Sequence, residues 1–287
     1  MPISRYAPYH WLVAGVMAVL IIGCGDSNDG EEITGPDLPT GPGRVYPVKN
    51  VAFTTVDGVR VSAVYGQLQG APGPRPVVIL VHDLGSAYAG DEWLLSGAFE
   101  ELLNRGYLPL AVDLRGHGAT PVPNDGRSVR QLLFSDLDYL HLDVRAALTW
   151  LKTQPSADAT RVAIIGNGAG GNVAYVSMGA YPSDLKAGIA LSPGLWESNT
   201  QAPLVVGDGI DPFLPHSMLF VAGADDILTL PSSGETLSYA GFATALATLT
   251  REPKRLSVLE GDAAHGLDLI AEPTVLAMVF SWLESHL

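Results

Sequence analysis

Short unbroken apolar runs recur along this chain, and they restrict its fold more than any other feature. They read PVVILVH at 76–82, LPLAVD at 108–113, RVAII at 161–165, AGIAL at 187–191 and SMLFVA at 217–222, and RLSVL at 255–259 reads as one more strand. A strand with no polar alternation has both faces buried, which is the situation inside a parallel sheet covered by helices. Segments with helical patterning lie between these runs: Glu92 to Arg105, stopped by Gly106; Ser128 to Lys152, ended near Pro155; a stretch reaching about Ala180; Gly234 to Thr248; and Pro273 to His286. Alternation of this kind predicts an α/β fold with a doubly wound, mostly parallel sheet. Ahead of it, Val48 to Gln69 holds two apolar stretches around Asp57-Gly58. Such a dipeptide between apolar segments predicts an antiparallel hairpin. Ligands of doubly wound sheets bind at the carboxyl ends of the strands.

The residues just after each run are therefore the informative ones. They are His82-Asp83-Leu84-Gly85, Asp113-Leu114-Arg115-Gly116-His117-Gly118, Gly166-Asn167-Gly168-Ala169-Gly170-Gly171, Gly223-Ala224-Asp225-Asp226 and Gly261-Asp262-Ala263-Ala264-His265-Gly266. The glycine cluster fits two motifs. Gly166, Gly168 and Gly171 satisfy the G-x-G-x-x-G dinucleotide fingerprint, in which a helix N-terminus holds a pyrophosphate. Gly166 to Gly170 also has the frame G-x-S-x-G of a nucleophile elbow, with glycine in place of serine. The cofactor reading is the weaker one. The fingerprint belongs to a first βα unit, this one is interior, and the next strand ends in Ser192-Pro193 with no acid to hold a ribose hydroxyl.

Taken together and in this order, the motifs resemble the α/β-hydrolase superfamily, in particular its dienelactone-hydrolase-like and serine-aminopeptidase-like members, over residues 48–287. The resemblance implies a role for each matching position. The turn His82–Leu84 supplies one oxyanion donor through the Leu84 N–H, and the Ala169 N–H supplies the other. Asp226 is the acid that orients the histidine, with Asp225 the poorer fit to the G-x-x-D frame, and His265 is the general base. Gly168 is the departure, since glycine has no atom with which to attack a carbonyl. Glycine also tolerates the strained elbow backbone far better than serine does. Asp113, Arg115 and His82 are expected to shape turns. His117 and His141 show no metal-ligand spacing and are expected to face solvent. Ser86 and Ser192 lie near strand ends but not on an elbow, which makes either a poor substitute nucleophile.

Residues 1–23 read as a secretory leader. Arg5 precedes an apolar run from Trp11 to Ile22, about half of the roughly 20 residues that a membrane-spanning helix needs. Ile21-Ile22-Gly23-Cys24 resembles a bacterial lipobox, which implies cleavage before Cys24 and lipidation of that residue. Gly25 follows the cysteine where inner-membrane lipoproteins often carry Asp, a weak pointer to the outer membrane of the cell envelope. Residues 24–46 are Gly-, Pro- and acid-rich and read as a flexible tether. Residues 47–287 form the hydrolase-like domain, and the length between Leu191 and Ser217 leaves no room for a large lid domain. Lys and Arg total 16 against 30 Asp and Glu, a formal charge of −14, so the cation cluster that nucleic acid requires is missing. With one cysteine there is no intrachain disulfide and no Cys-based zinc site.

These readings converge on a lipid-anchored protein of esterase- or peptidase-like ancestry. It is impaired in acyl transfer, binds a small acyl or peptide-like ligand, and needs neither metal nor organic cofactor. The alternative is a slow ester or amide hydrolase in which His265 and Asp226 activate water directly.

Overall fold

A computed structural model describes residues 47–287 except 69, 71, 85, 123–136, 195–214 and 230–233. The leader, Cys24, the tether, Gly85 and most of the span between Leu191 and Ser217 lie outside the described residues.

The chain opens with β1 (Val48–Thr54) and β2 (Arg60–Gly66), which pair antiparallel through a turn at Asp57-Gly58. Next come β3 (Arg75–Val81), α1 (Asp91–Leu95), α2 (Ala98–Asn104) and β4 (Leu108–Val112). The following elements are α3 (Leu137–Leu151), β5 (Ala157–Asn167), α4 (Ala169–Ala180), β6 (Leu185–Leu191) and β7 (Met218–Gly223). A short antiparallel pair, β8 (Ile227–Thr229) and β9 (Thr236–Ser238), leads into α5 (Tyr239–Leu249) and β10 (Lys254–Leu259). A 3₁₀ turn over Gly266–Ala271 and α6 (Pro273–His286) close the chain.

Eight strands form one sheet in the order β1-β2-β4-β3-β5-β6-β7-β10, parallel from β4 to β10. The apolar runs from β3 to β7 behave as expected, whereas β10 lies at the sheet edge and is only half-buried or exposed along its length. Successive residues of β3 alternate faces, with Val77, Ile79 and Val81 in a core beneath α3, α4 and α5, and Val78 and Leu80 in a second core beneath α2 and α6. All five are fully buried, and each such side chain contributes roughly 1.5–3 kcal/mol of transfer free energy.

The strand order reverses at β3. The chain leaves β3 for β4 on one side, then returns across to place β5 on the other. This is a topological switch point, and the crevice outside the carboxyl ends of β3 and β5 is where ligands bind in such sheets. Parallel pairing sets Val81 opposite Gly166, so residues two steps beyond each, Asp83 and Gly168, face each other across that crevice.

Two predicted elements differ. The helix expected over Glu92–Arg105 is broken: Gly97, at φ +79°, ends α1 and starts α2. The helix expected over Gly234–Thr248 begins only at Tyr239, because Thr236–Ser238 pairs with β8 as β9, and runs of three residues carry no detectable period. Of the helix expected over 128–152, the described part runs from Leu137 to Leu151.

Arg115 is fully buried and holds three segments together. Its guanidinium donates to Asp143 Oδ1 at 2.9 and 2.7 Å and to Asp57 at 2.6 and 3.2 Å, and its backbone N–H donates to Asp143 Oδ2. The hairpin turn, the end of β4 and α3 thus share one ion cluster. Asp113 is structural in the same way, accepting from the N–H groups of Gly90 and Ala119. Removing one partner of a buried ion group leaves uncompensated charge, so Arg115→Met should cost about 3–5 kcal/mol in urea denaturation. For Asp57, burial alone would raise the carboxyl, but the hydrogen bonds from Arg115 and Thr55 and the Arg115 charge bring it down to about 2. A carboxyl depressed in the folded state stabilises above its unfolded pKa, 3.8, and loses that contribution as pH falls. Acid titration followed by circular dichroism should therefore show Asp57→Asn removing stability at neutral pH and flattening the loss between pH 4 and about 2.

Candidate active site

At the end of β5 the chain turns sharply into α4. Gly168 makes the turn with φ +54° and ψ −120°, a left-handed conformation that strains any residue with a Cβ. The neighbouring glycines serve close packing. A Cβ on Gly166 would sit 2.0 Å from the Gly170 carbonyl oxygen, and one on Gly170 would sit 2.4 Å from the Val81 carbonyl oxygen. Gly166 and Gly170 are thus small because the elbow is pressed against β3 and the first turn of its own helix.

His265 and Asp226 lie together. His265 Nδ1 is 2.9 and 3.1 Å from the two Asp226 oxygens, so Nδ1–H donates and Nε2 is left as the basic face. Asp226 is buried, whereas Asp225 is exposed. Burial lowers the His265 pKa, but the hydrogen bond and charge of Asp226, with the charges of Asp83 and Asp268, outweigh it and the net shift is upward. The Tyr239 ring packs edge-on against the imidazole at 4.4 Å. Ser192 bridges the pair to the loop that carries His265. Its Oγ donates to Asp226 Oδ2 at 2.7 Å and accepts from the Gly266 N–H at 3.0 Å. Its backbone holds φ +44°, a strained position for a residue with a side chain. Ser192 Oγ is therefore committed to orienting Asp226. Ser86 Oγ accepts from the Tyr88 N–H and shares a hydrogen bond with Glu92.

The two N–H groups expected to form the oxyanion hole do converge, and a carboxylate sits on them. Asp83 Oδ1 accepts from Leu84 N–H at 2.8 Å and from Ala169 N–H at 2.8 Å. Its other oxygen is 4.0 Å from His265 Nε2, beyond direct hydrogen-bond range. A Cβ built on Gly168 would lie 2.4 Å from Asp83 Cγ and 2.4 Å from Oδ1. Asp83 thus fills the space between base, elbow and hole that a nucleophile side chain on residue 168 would enter, so a side chain there would require the Asp83 carboxylate to swing aside. Burial raises the Asp83 carboxyl above its ordinary range, offset in part by the Ala169 N–H, the His265 charge and the Leu84 N–H. The N-terminus of α4, where a pyrophosphate would bind in a dinucleotide loop, holds this carboxylate instead.

A second layer ties the crevice together. Glu92 Oε1 accepts from the Asp83 N–H at 3.2 Å and from Asn167 Nδ2 at 2.8 Å, while Asn167 Oδ1 accepts from the Leu267 N–H at 3.1 Å. Glu92 therefore links the β3 turn, the elbow and the His265 loop. His82 is a buried spacer. Nδ1–H donates to the Asp83 carbonyl at 2.7 Å, Nε2 accepts from the Leu114 N–H at 3.0 Å, and burial pushes its pKa down to about 3, keeping it neutral. Two expectations need correction. His117 and His141 do not face solvent freely; both are half-buried, His141 against the Tyr181 hydroxyl with its pKa pushed down by burial to about 4. The roles of Asp83, Glu92 and Asn167 were not read from the sequence. The H-x-x-G frame points only to backbone donors, and the signal for Asp83 is the elbow without a side chain that faces it. Among the described residues no three His, Cys, Asp or Glu side chains are placed to hold a metal ion.

Comparison with known proteins bears on the fold. No curated protein sequence matches the chain. The chain is similar in structure to an α/β hydrolase, GrgF, from Penicillium sp. sh18, at TM-score 0.60 and 18% identity over 84% of this chain and 99% of that one. It is also similar to a dienelactone hydrolase from Anabaena variabilis, at TM-score 0.59 and 18% identity over 84% and 99%. An acetyl xylan esterase from Paenibacillus sp. R4 gives TM-score 0.62 and 20% identity over 86% of each chain. At these identities the likeness establishes the fold. The family described as Serine aminopeptidase, S33 matches residues 72–219, more than half of the 287-residue chain. With this match and the α/β-hydrolase sheet, the chain belongs to the serine aminopeptidase S33 family of α/β hydrolases.

Proposed function

We propose that this is a lipid-anchored protein of esterase- or peptidase-like ancestry that no longer performs serine-type acyl transfer and uses its crevice to bind a small acyl or peptide-like ligand. One observation carries the reading: Asp83 Oδ1 already occupies both N–H groups that an acyl substrate's oxyanion would need. The missing nucleophile at Gly168 and the filled hole are two separate obstacles. The second also disfavours direct attack of His265-activated water on an ester, because that route depends on the same hole. Asp83, Glu92 and Asp226 make the crevice acidic, which favours neutral or cationic ligands over anionic ones. The lipobox at Cys24 and the tether up to residue 46 support attachment to the bacterial cell envelope, with the outer membrane favoured by Gly25.

Hydrolysis of p-nitrophenyl acetate by the wild type should not exceed that of His265→Ala; a rate well above that control would overturn the reading. Gly168→Ser alone should label weakly with a fluorophosphonate, because its Cβ meets the Asp83 carboxylate. The double variant Asp83→Ala with Gly168→Ser restores nucleophile and hole together. Since one oxyanion donor is worth about 10²–10³-fold, the double variant should exceed Gly168→Ser by at least ~10²-fold in ester hydrolysis. For the anchor, Cys24→Ser should abolish palmitate incorporation and move the protein from the membrane fraction to the soluble one.

A further inference from the structure

Asp83 does more than obstruct. Its two oxygens stand in different surroundings. Oδ1 is fixed by two N–H donors, while Oδ2 is directed toward His265 Nε2 at the open side of the crevice, where the Asp83 side chain keeps 33% exposure and that of His265 35%. One oxygen is held and the other is free to react, beside a histidine already oriented by Asp226.

From this arrangement we infer that Asp83 is a relocated carboxylate nucleophile, and that the site hydrolyses a small neutral molecule carrying a leaving group on a saturated carbon, an alkyl halide or an epoxide. The proposal goes beyond the reading above and shares with it only the placement of Asp83 in the hole. The hole itself selects the substrate class. Attack on an acyl carbon would generate an oxyanion on the substrate, and the hole is filled by the attacker's own oxygen. Displacement at a saturated carbon builds no tetrahedral oxyanion at the attacked carbon: the charge leaves on the halide, or sits on the opened epoxide oxygen, which solvent protonates.

In the first step Asp83 Oδ2 forms a bond to the carbon as the bond to the leaving group breaks. The electron pair departs with a halide, or stays on the opened epoxide oxygen, which takes a proton from solvent. In the second step His265 Nε2 removes a proton from water and the hydroxide adds to Asp83 Cγ. The negative charge then develops on Oδ1, already hydrogen-bonded by Leu84 and Ala169. Collapse breaks the bond from Oδ2 to the alkyl carbon, the departing alkoxide takes the proton from His265, and the carboxylate is regenerated. The sum is halide plus water to alcohol and acid, or epoxide plus water to diol. The hole that cannot serve an acyl substrate is thus in place for the ester of the protein's own side chain.

The experiment uses the purified protein with 1-bromobutane and, separately, 1,2-epoxybutane in oxygen-18 water, with mass spectrometry of the peptide containing Asp83. The wild type should release butanol or the diol while Asp83 gains oxygen-18, because water attacks Cγ and not the alkyl carbon. His265→Gln should stop at the ester, seen as a butyl or hydroxybutyl adduct on Asp83, and Asp83→Asn should show neither product nor adduct. Oxygen-18 incorporation in the wild type decides the matter even if His265→Gln folds poorly. The proposal is overturned if neither probe gives alcohol, diol or adduct, if product forms with no label in Asp83, or if Asp83→Asn keeps the wild-type rate. Ester hydrolysis is read independently with p-nitrophenyl acetate, so a failure here leaves the preceding reading intact, and the converse also holds.

Discussion

The site depends on the register between β3 and β5. Pairing of Val81 with Gly166 at the switch point brings the ends of two strands to within one side chain of each other. Two residues on, the chain has space for a single functional group between the β3 turn and the elbow. The 2.4 Å separation between a Cβ on Gly168 and the Asp83 carboxyl carbon expresses that limit. Whichever loop supplies the group, the other must leave room for it. The N–H groups of Leu84 and Ala169 then act on whatever atom arrives there, because backbone donors at a turn and at a helix N-terminus do not depend on side-chain identity.

Everything beyond that slot holds it at the right width. The bare α-carbons of Gly166 and Gly170 let the elbow press against β3. Neutral His82 spans from the β3 turn to the end of β4 through its two ring nitrogens. Glu92 and Asn167 carry the connection on to the His265 loop, and Ser192 fixes that loop to Asp226. The ends of β3, β4, β5, β6, β7 and β10 are thereby joined through side chains that are not themselves reactive. Distances among Asp83, His265 and the hole are set by buried hydrogen bonds, which hold a geometry that exposed loops alone would not.

The fold was legible because it rests on local signals. Unbroken apolar runs mark strands buried on both faces, and their spacing leaves room for one helix each. The Asp57-Gly58 hairpin and the Pro273 helix start are short-range in the same sense. The pairing of His265 with Asp226 was reachable from strand-end position alone. Asp83 was not, because its meaning depends on Ala169, 86 residues away, and on a parallel register that no local pattern encodes. The same holds for Glu92, which contacts Asn167 across 75 residues and in the sequence resembles any acidic residue in the first turn of a helix. Gly97 was passed over because a lone glycine in a helical pattern is compatible with continuation at a cost of about 1 kcal/mol; here its left-handed φ ends one helix and begins another.

Gly168 and Asp83 form one structural unit. A glycine at the elbow relieves backbone strain of roughly 1–3 kcal/mol, but alone it would leave two inward-pointing N–H donors without a protein partner beside a basic histidine. A carboxylate held on both donors would have to move to admit a side chain at 168. Together the two residues satisfy both donors, place an anion at the N-terminus of α4 where the helix dipole favours it, and set an opposite charge beside His265 whenever the imidazole is protonated. On the proposal that Asp83 is the nucleophile, the pairing supplies the three elements that covalent hydrolysis needs, namely a reactive atom, an oriented base and donors for developing charge, with the reactive atom from β3 in place of β5.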